Sequence, residues 1–495
     1  MPFHSGHHSY WLALVAGLVL IADGGFVSAG DDSRIDSALS RIADLEDQIQ
    51  QLRSAGSVAQ ANYERPAECG CGVACQSDGG ACGASCSGGC RNTSSSAKSS
   101  HPLEAVYDRG FVLRPLDAEQ TPFQMKINSW LQLRHSYFDS DGPTPDQNDM
   151  EFERARLLFS GFALSRDLKY FIQIDADDNQ TQRLDLLDYY LSYDIGHDQF
   201  GLDAGKIGIR TGRWKIPFNR TRYTSGLNLQ FADRSLASVF FDIDRSVGVS
   251  LYGKADGPIA PVNWEVALIN GIRTNGARPN RVGDIDNNLG VSGRFFSDVI
   301  GEWGSDYESD ISWHEELAVR LGGGFAFARN DIGHGPVEAS RHRVVDSGAT
   351  LTSILPMGTT AYDVSLFAVS ADFRYRGWSL STEYYFRNLT DFSGAVVPDL
   401  FDHGFLLQGG YFIVPEKFEL FTRWSRIVGD SGTLGVADQS ADEVAGGVAW
   451  WIKGRNLKLL FDVTRVNSSP VNDSAVGFMP GDDGMLYRTQ LQVLF

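Results

Sequence analysis

The last ten residues of the chain, LYRTQLQVLF (486–495), alternate strictly between two kinds of side chain. On an extended strand, Tyr487 and Phe495 share one face and Arg488 and Gln492 share the other, because successive side chains point to opposite sides. One face suits hydrocarbon and the other suits water. A terminal strand that ends on an aromatic ring is typical of bacterial outer-membrane barrels.

The same alternation recurs in segments of about ten residues through the second part of the chain. Examples are KINSWLQLRHSYF (126–138), KFELFTRWSR (417–426) and LKLLFDVTRV (457–466), and turn-rich stretches such as DSDGPTPDQND (139–149) separate them. Alternation of this length is the signature of tilted strands that cross a bilayer. Such a sheet must close on itself, because an open edge would leave backbone N–H and C=O groups unpaired in hydrocarbon.

The fold class predicted from this pattern is all-β, a transmembrane antiparallel β-barrel that occupies residues 120–495. At about 23 residues for each strand and its connection, this range predicts about 16 strands, and a barrel of that size encloses an aqueous channel. A soluble β-sandwich also shows alternation, but with the apolar face inside. Aromatic residues near the segment ends favour the membrane barrel, whose interfaces carry such girdles. These residues are Trp130, Tyr189, Tyr190, Tyr384, Tyr385, Trp450 and Trp451.

The first 119 residues differ in composition from the predicted barrel. An apolar run, WLALVAGLVLI (11–21), followed by small residues predicts a signal peptide over 1–29 that is removed on export. Hydrophobic residues at alternating spacings of three and four predict a short coiled-coil helix over 31–53, which would hold chains together or contact the cell wall. Residues 54–119 are rich in Gly, Ser and Cys and predict a disordered linker.

All six cysteines of the chain lie in the predicted linker, at positions 69, 71, 75, 82, 86 and 90. An even number of cysteines in an exported segment is consistent with disulfides, within or between chains. Their spacing lacks the paired Cys-x-x-Cys units that are typical of a zinc site. We therefore predict no metal and no cofactor.

Charge and hydropathy argue against two other classes of protein. The formal net charge is −19, which is the opposite of a nucleic-acid-binding footprint. Mean hydropathy is −0.19, and beyond the N-terminal run the sequence contains no stretch of about 20 apolar residues, as a transmembrane helix needs. The expected partner is outer-membrane lipid, which the strands would contact. No nucleic-acid partner is expected.

Several motifs in the predicted barrel closely resemble the phosphate-selective porin O and P family. They are RARLLFSG (154–161), GRWKIPF (212–218), Thr224–Ser225, RSVGV (245–249) and GGYFIVPEKFELFTRWSRI (409–427). Their order and spacing resemble those of the family over residues 123–495. The resemblance implies a homotrimer of 16-stranded outer-membrane barrels, with a loop folded into each channel and basic side chains at its narrow point. Some relatives also carry an N-terminal periplasmic coiled coil, which fits the predicted helix at 31–53.

A porin lowers the free energy of a hydrated solute in a narrow passage through fixed charges and hydrogen bonds. Arg and Lys suit anions, because their N–H donors replace the water lost around oxyanions. The candidates on inward-facing positions are Arg134, Arg154, Arg156, Arg213 and Lys215, and those on the predicted constriction loop are Arg220, Arg222, Arg234 and Arg245. Pairs two residues apart, such as Arg154 and Arg156, share a face. That face is expected to line the lumen, since a charge facing lipid would cost several kcal/mol.

Each of these cations has an alternative role as the partner of a carboxylate in the barrel wall. Candidates for that pairing are Asp175, Asp177, Asp185, Asp188 and Asp203. The chain is acidic overall and shows no row of lysines leading inward. We therefore expect general or weakly anion-preferring diffusion rather than true phosphate specificity. Charges on external loops matter less, because salt screens them within about 8–10 Å.

Two other functions remain open on the sequence alone. Trp214 and Tyr223, near the predicted constriction, would suit a sugar-permeable porin that uses aromatic rings as a stacking track. The coiled coil would suit a mainly structural tether between the outer membrane and the cell wall. An enzyme is not expected, because the sequence contains no GxSxG motif and the histidines of the predicted barrel have no obvious Ser or Asp partner.

Overall fold

The computed structural model describes residues 103–116, 122–177, 183–272, 286–334, 342–345, 348–429, 440–471 and 480–495. The predicted signal peptide, the coiled-coil helix and the six cysteines lie outside these residues. Within the described residues, no helix is long and apolar enough to cross a membrane.

The described part of the chain forms eighteen β-strands. In chain order they are β1 (Leu103–Tyr107), β2 (Phe111–Pro115), β3 (Phe123–Ser140), β4 (Gln147–Ala163), β5 (Ser165–Asp177), β6 (Arg183–Tyr193), β7 (Ile207–Lys215), β8 (Arg245–Ala255), β9 (Val262–Ile269), β10 (Gly290–Ile300), β11 (Ala318–Asp331), β12 (Ala361–Tyr375), β13 (Trp378–Ser393), β14 (Leu400–Val414), β15 (Phe418–Val428), β16 (Ser440–Arg455), β17 (Leu457–Asn467) and β18 (Gly484–Leu494). The described helices are short: Ile195–Phe200, Arg220–Tyr223, Leu236–Phe240, Leu351–Ile354 and a 3₁₀ turn at Gly226–Asn228.

Strands β3 to β18 close into a barrel. Each strand from β3 to β17 pairs antiparallel with the next one along the chain. The first and last of them also pair, from Gly484 opposite Ser140 to Leu494 opposite Trp130. The wall therefore has 16 antiparallel strands and no open edge, which confirms the predicted fold class.

The two ends of the barrel carry connections of very different length. At the end here called the turn end, β12 and β13 are joined by Arg376 and Gly377, and β16 and β17 by Asn456. At the opposite end, the loop end, residues 216–244 join β7 to β8. The turn end has its own long connection in residues 301–317, between β10 and β11. These two long connections are called the inner loop (216–244) and the inner turn (301–317).

Strand β15 shows how the two faces of the wall differ. Leu420 and Trp424 are 46% and 45% exposed on the outside, whereas Glu419, Arg423 and Ser425 are buried on the inside. Strands β17 and β18 alternate in the same way. The apolar face is therefore the outside of the barrel and the polar face is the inside, as expected of a sheet that meets hydrocarbon.

Strands β1 and β2 form a hairpin that is added to the wall at the turn end. β2 pairs with β3 over residues 111–113, on the edge of β3 that pairs with β18 further along. Residues 103–115 fall within 54–119, the range predicted as linker, so ordered structure begins earlier than the predicted barrel start. Strands of five residues carry too little pattern to stand out in a sequence. They form here because β3 supplies backbone hydrogen-bond partners.

The inner loop folds back into the barrel and builds an apolar core there. Its Phe241 stacks on Tyr385 of the wall with ring centroids 5.4 Å apart, and Phe218 and Phe240 join the same cluster with Leu406. These wall residues face inward, where the alternation predicts polar side chains. They are apolar because the loop, rather than water, covers them.

The inner turn enters from the opposite end and forms a second core. Its Tyr307 and Ile311 cluster with Trp451 of the wall and Phe231 of the inner loop, and the Tyr307 and Trp451 rings lie 6.0 Å apart. The lumen is thus filled in part by two segments that come from the two ends of the barrel.

Candidate functional site: the loop-lined lumen

Gly212 lies within β7, shortly before the inner loop begins. This glycine has φ of +133°, and a Cβ atom there would lie 2.2 Å from the carbonyl oxygen of Tyr189, so only glycine fits. Beyond it, Trp214 and Lys215 point to opposite faces of β7, yet both are engaged inside the barrel. Trp214 Nε1 donates to Glu265 at 3.1 Å, and Lys215 Nζ donates to carbonyl groups of the loop. The end of the β7–β8 hairpin has therefore turned inward.

Two capped helices give the inner loop its shape. The side chain of Asn219 accepts the N–H of Arg222 at 2.9 Å and begins the helix Arg220–Tyr223. Ser235 begins the helix Leu236–Phe240 and accepts a backbone N–H of that helix at 3.2 Å. Asn and Ser are favoured at this position, because their oxygen satisfies an N–H group that the helix leaves unpaired.

Glu383 of β13 anchors the start of the inner loop. Its carboxylate accepts the backbone N–H of Arg220 at 2.6 Å and that of Thr221 at 3.0 Å. It also accepts the hydroxyl groups of Thr221 and Tyr385. Glu383 is 2% exposed, so this is a buried charged acceptor with four donors. Such a group holds the loop against the wall more firmly than neutral hydrogen bonds would.

Further wall contacts follow the inner loop across the lumen. Asp462 of β17 accepts the N–H of Ala232 at 3.0 Å, and Glu443 of β16 accepts that of Leu236 at 2.6 Å. From β3, Gln132 donates to a loop carbonyl at 3.2 Å. The inner loop is therefore held by widely separated strands. It narrows the passage where it crosses the lumen.

The inner turn meets the inner loop at Glu308. The N–H of Glu308 donates to the carbonyl of Asn228 at 2.9 Å, and its carboxylate accepts the N–H of Gln230 at 2.9 Å and Nε2 of Gln408 at 2.9 Å. Arg374 of β12 donates to two carbonyl groups of the turn at 3.0 and 2.7 Å. The sequence motifs did not predict this segment. The available signal was the long, aromatic-containing connection between β10 and β11.

Arg134 and Arg154, two of the predicted candidates, lie together in a neutral cluster. Each contacts both Glu153 and Asp233: Arg134 at 3.1 and 3.2 Å, and Arg154 at 3.0 and 3.2 Å. The pairing of β3 with β4 skips Glu153, a β-bulge that allows this carboxylate to join the cluster. Asp233 comes from the inner loop. Two positive and two negative charges thus compensate one another.

Arg156 and Arg245 also pair with carboxylates of the wall. Arg156 donates to Asp175 at 2.9 Å and lies over the ring of Trp130 at 4.9 Å. Arg245, the first residue of β8, donates to both carboxylate oxygens of Asp188, at 2.8 and 3.0 Å. Asp175 and Asp188 are two of the pairing partners that the sequence suggested.

Arg220 and Arg222 pair with carboxylates near the ends of the inner loop. Arg220 lies 2.7 Å from Asp372, and Arg222 lies 2.8 Å from Asp242 and 2.7 Å from Asp244. Burial raises the pKa of Asp242 to about 7, although Arg222 opposes the shift. Burial acts on Asp244 in the same direction, but the adjacent arginines hold its pKa well below the usual range. At neutral pH, Arg222 is therefore compensated chiefly by Asp244.

Lys215 and Arg234 bind backbone rather than carboxylates. Lys215 Nζ donates to the carbonyl groups of Arg222 at 3.0 Å and Thr224 at 2.7 Å. Arg234 donates to those of Thr224 at 2.7 Å and Thr221 at 3.3 Å. Both cations therefore bind the C-terminal end of the first helix of the inner loop. A helix leaves its last carbonyl groups unpaired, and cations satisfy them.

Arg213 lies against the wall. Its Nη1 donates to the carbonyl groups of Leu186 at 2.8 Å and Leu187 at 3.0 Å, where the pairing of β5 with β6 is irregular. It joins β7 to β6 and is 7% exposed. Of the nine predicted cations, six are therefore in ion pairs and three bind backbone carbonyl groups.

The two aromatic residues considered for a sugar track are engaged elsewhere. Trp214 is 2% exposed. The hydroxyl of Tyr223 donates to Glu265 at 3.0 Å, and one face of its ring is covered by Arg294, whose guanidinium carbon lies 4.8 Å from the ring centre. This arrangement lends no support to a stacking track at these positions.

The inner loop and all nine candidate cations lie in ranges that match a known family. A model described as Phosphate-selective porin O and P matches residues 123–259 and 338–495, which is more than half of the sequence. The chain belongs to this family. This porin family consists of channels rather than enzymes, so the lumen is the functional part of the molecule. Residues 260–337, which contain the inner turn, lie between the matched ranges.

Solved structures of outer-membrane proteins are similar in shape to this porin. An anion-selective porin from Comamonas acidovorans aligns with a TM-score of 0.48 and 12% identity, over 75% of this chain and 99% of that one. OmpT of Vibrio cholerae aligns at 0.46 and 12%, over 79% and 99%. The channel DcaP of Acinetobacter baumannii aligns at 0.46 and 11%, over 75% and 97%. No curated protein matches the sequence, and the family assignment rests on the family model.

Proposed function

We propose that this chain forms a water-filled channel in the bacterial outer membrane, through which small hydrophilic solutes diffuse passively with a weak preference for anions. The observation that carries the proposal is the closed barrel with an apolar outer face and a polar inner face, narrowed by the inner loop. A closed barrel leaves no sheet edge with unpaired backbone groups, so it suits the hydrocarbon of a bilayer. As the family resemblance implies, the channel is proposed to be one of three in a homotrimer, with the N-terminal segment in the periplasm.

The preference is proposed to be weak because most cations of the lumen are compensated. Arg134 and Arg154 share Glu153 and Asp233, and the other paired candidates each meet an aspartate. Arg213, Lys215 and Arg234 have no carboxylate in an ion pair among the described residues, but they donate to backbone carbonyl groups. They therefore do not form the ladder of open donors that strong anion selectivity would need. General diffusion with a modest bias fits this charge balance better than phosphate specificity.

The proposal is tested by the current through a planar lipid bilayer that contains the purified chain. In a potassium chloride gradient we expect stepwise, ohmic conductance and a reversal potential of the sign that marks anion preference. That potential should fall well short of the value for an ideally anion-selective membrane. Cation preference would contradict the anion bias, and a bilayer that stays silent would contradict the channel itself.

A charge on the outer face tests the placement in the membrane. Val369 lies near the middle of β12 and is 54% exposed. Arginine near the middle of a bilayer costs about 2–4 kcal/mol, so Val369→Arg should lower the free energy of unfolding from lipid vesicles by that amount. The matched control is Leu164→Arg, in the turn between β4 and β5, where the side chain is 84% exposed. Equal stability of the two variants in urea titrations would show that the face does not meet hydrocarbon.

A further inference from the structure

Arg294 stands on the inward face of β10 with its guanidinium between two aromatic rings. The guanidinium carbon lies 4.8 Å from the ring centre of Tyr223 on the inner loop and 4.9 Å from that of Phe296 on the same strand. The side chain is partly exposed. Among the described residues, no acceptor forms a hydrogen bond with it and no carboxylate forms an ion pair with it. Each of the nine cations predicted from the sequence, by contrast, binds a carboxylate or a backbone carbonyl group.

The rings that flank Arg294 are themselves fixed. The hydroxyl of Tyr223 donates to Glu265 at 3.0 Å and receives a hydrogen bond from Arg210 at 3.2 Å. On the other side, Phe296 is covered by a second guanidinium, that of Arg320, at 4.6 Å. Arg294 thus contacts two rings that are themselves held, and none of its N–H donors has an acceptor among the described residues.

The stack continues beyond Phe296 toward the turn end. Arg320 also lies 5.0 Å from the ring of Trp303 on the inner turn, and Arg374 covers Trp303 at 4.0 Å. Three rings and three guanidinium groups therefore alternate from the inner loop to the inner turn. Each such contact stabilises the arrangement through attraction between the cation and the ring.

Only one of the three stacked cations presents open donors. Arg320 binds Asp298 through Nε at 2.6 Å and Nη2 at 3.2 Å. The carboxylate therefore compensates its charge and occupies these two N–H donors. Arg374 donates to carbonyl groups of Trp303 and Ser305 on the inner turn. Among the described residues, Arg294 alone in this stack has neither a hydrogen-bond acceptor nor a carboxylate in an ion pair, and it is partly exposed on the inward face of β10.

The class of ligand that suits this site follows from the N–H donors of the guanidinium group. Two ring centres lie within 5 Å of its central carbon, and its N–H groups have no acceptor among the described residues, so they are available to the two oxygens of a carboxylate or phosphate. A chloride ion accepts both N–H groups at one atom, whereas the two oxygens of an oxyanion each accept one, which gives straighter hydrogen bonds. We propose that Arg294 is the residue that contacts small oxyanions as they pass the inner loop, and that it gives the channel a preference for carboxylate and phosphate groups over halides.

This assignment deepens the proposed function and rests on it. It owes nothing to the matched ranges of the family, because Arg294 and the inner turn lie between them. It also accounts for an anion bias in a lumen whose nine other candidate cations bind carboxylates or backbone carbonyl groups, since the N–H groups of Arg294 remain available to a passing anion.

The test measures how inorganic phosphate and, separately, acetate inhibit the chloride current of the full chain in planar bilayers. We expect both to inhibit the wild-type channel, and Arg294→Gln to raise the half-inhibitory concentrations by about tenfold, as loss of a charge-assisted hydrogen bond implies. Arg294→Lys keeps the charge but loses the planar fork. It should retain the chloride reversal potential and still need more oxyanion for inhibition. A response to only one of the two anions would assign the site to that oxyanion.

The matched control removes an ion pair outside the stack. Lys206 and Asp256 lie 3.0 Å apart in connections at the turn end. Lys206→Gln combined with Asp256→Asn leaves the net charge unchanged, and we expect wild-type inhibition. Three outcomes would overturn the assignment: wild-type inhibition in Arg294→Gln, an equal effect in the control, or Arg294→Lys indistinguishable from wild type. An absence of conductance in the wild type would count instead against the channel proposed above, so the two failures are distinguishable.

Discussion

Replacing Glu383 by alanine is expected to release the inner loop and to raise the single-channel conductance. Glu383 accepts two backbone N–H groups, from Arg220 and Thr221, and the hydroxyls of Thr221 and Tyr385. A hydrogen bond to a charged group contributes about 1.5–3 kcal/mol, so loss of the four bonds weakens the attachment of the loop by several kcal/mol. The backbone pairing of β13 with both neighbours does not depend on that side chain. The cost therefore falls on the first helix of the loop, which should leave the wall.

The conductance of Glu383→Ala in planar bilayers checks this expectation, together with circular dichroism to establish that the barrel still folds. Glu302→Ala is the control, because Glu302 is an exposed carboxylate at the turn end. The control should conduct as the wild type does, and the Glu383 variant should show larger and noisier current steps. A folded Glu383→Ala with wild-type conductance would mean that the inner loop does not form the narrowest point.

Replacing Asp233 by asparagine is expected to make the channel clearly more anion-selective. Asp233 and Glu153 together compensate Arg134 and Arg154, so the substitution leaves one net positive charge in the cluster. With an effective dielectric constant of about 20, a unit charge acts on an ion about 10 Å away with roughly 1.7 kcal/mol. Salt screening reduces this, and we expect the anion-to-cation permeability ratio to rise about three- to tenfold.

Reversal potentials of three variants separate this effect from a general change in charge. Glu153→Gln removes the other carboxylate of the cluster and should act in the same direction as Asp233→Asn. Arg134→Gln combined with Arg154→Gln should reverse the preference toward cations. Asp139→Asn, in an exposed position at the loop end of β3, should change little, because water and salt screen that site. If Asp233→Asn shifts the potential no more than Asp139→Asn does, the cluster lies outside the ion path.

The wall of the barrel was predictable because the evidence for it is local. The alternation of β15, with Leu420 and Trp424 against Glu419 and Arg423, is present in the sequence and recurs in the exposures of the structure. The closure of the barrel was predictable from the free-energy cost of unpaired backbone groups in hydrocarbon, because this cost applies to any strand order. The hairpin of β1 and β2 was missed, because two short strands become recognisable only beside β3.

The contents of the barrel were less predictable. Motifs that resemble the porin family located the start and the end of the inner loop, at 212–218 and 245–249. The inner turn carried no such motif. Its contact with the inner loop through Glu308 joins segments that the sequence does not relate.

The candidate cations were found by residue type, and their partners were found only in part. Asp175 and Asp188 were suggested for pairing and do pair with Arg156 and Arg245. Asp233 was not suggested, although it contacts two of the candidates. Arg294 was not selected at all, because a single arginine in a strand gives no signal until the rings on both sides of it are in place.

The sequence by itself determined a closed barrel of about sixteen strands and, in its alternating segments, the face that meets lipid. These depend on the repeat of two residues along a strand and on the demand of hydrocarbon for paired backbone groups. The position of the loop that enters the lumen came from the motifs that resemble the porin family. Only the tertiary structure decided which charges are compensated and which one is open to a solute. The reason is distance along the chain: Glu383 binds Arg220 across 163 positions and Lys458 binds the carbonyl of Leu229 across 229, so no local pattern records these contacts.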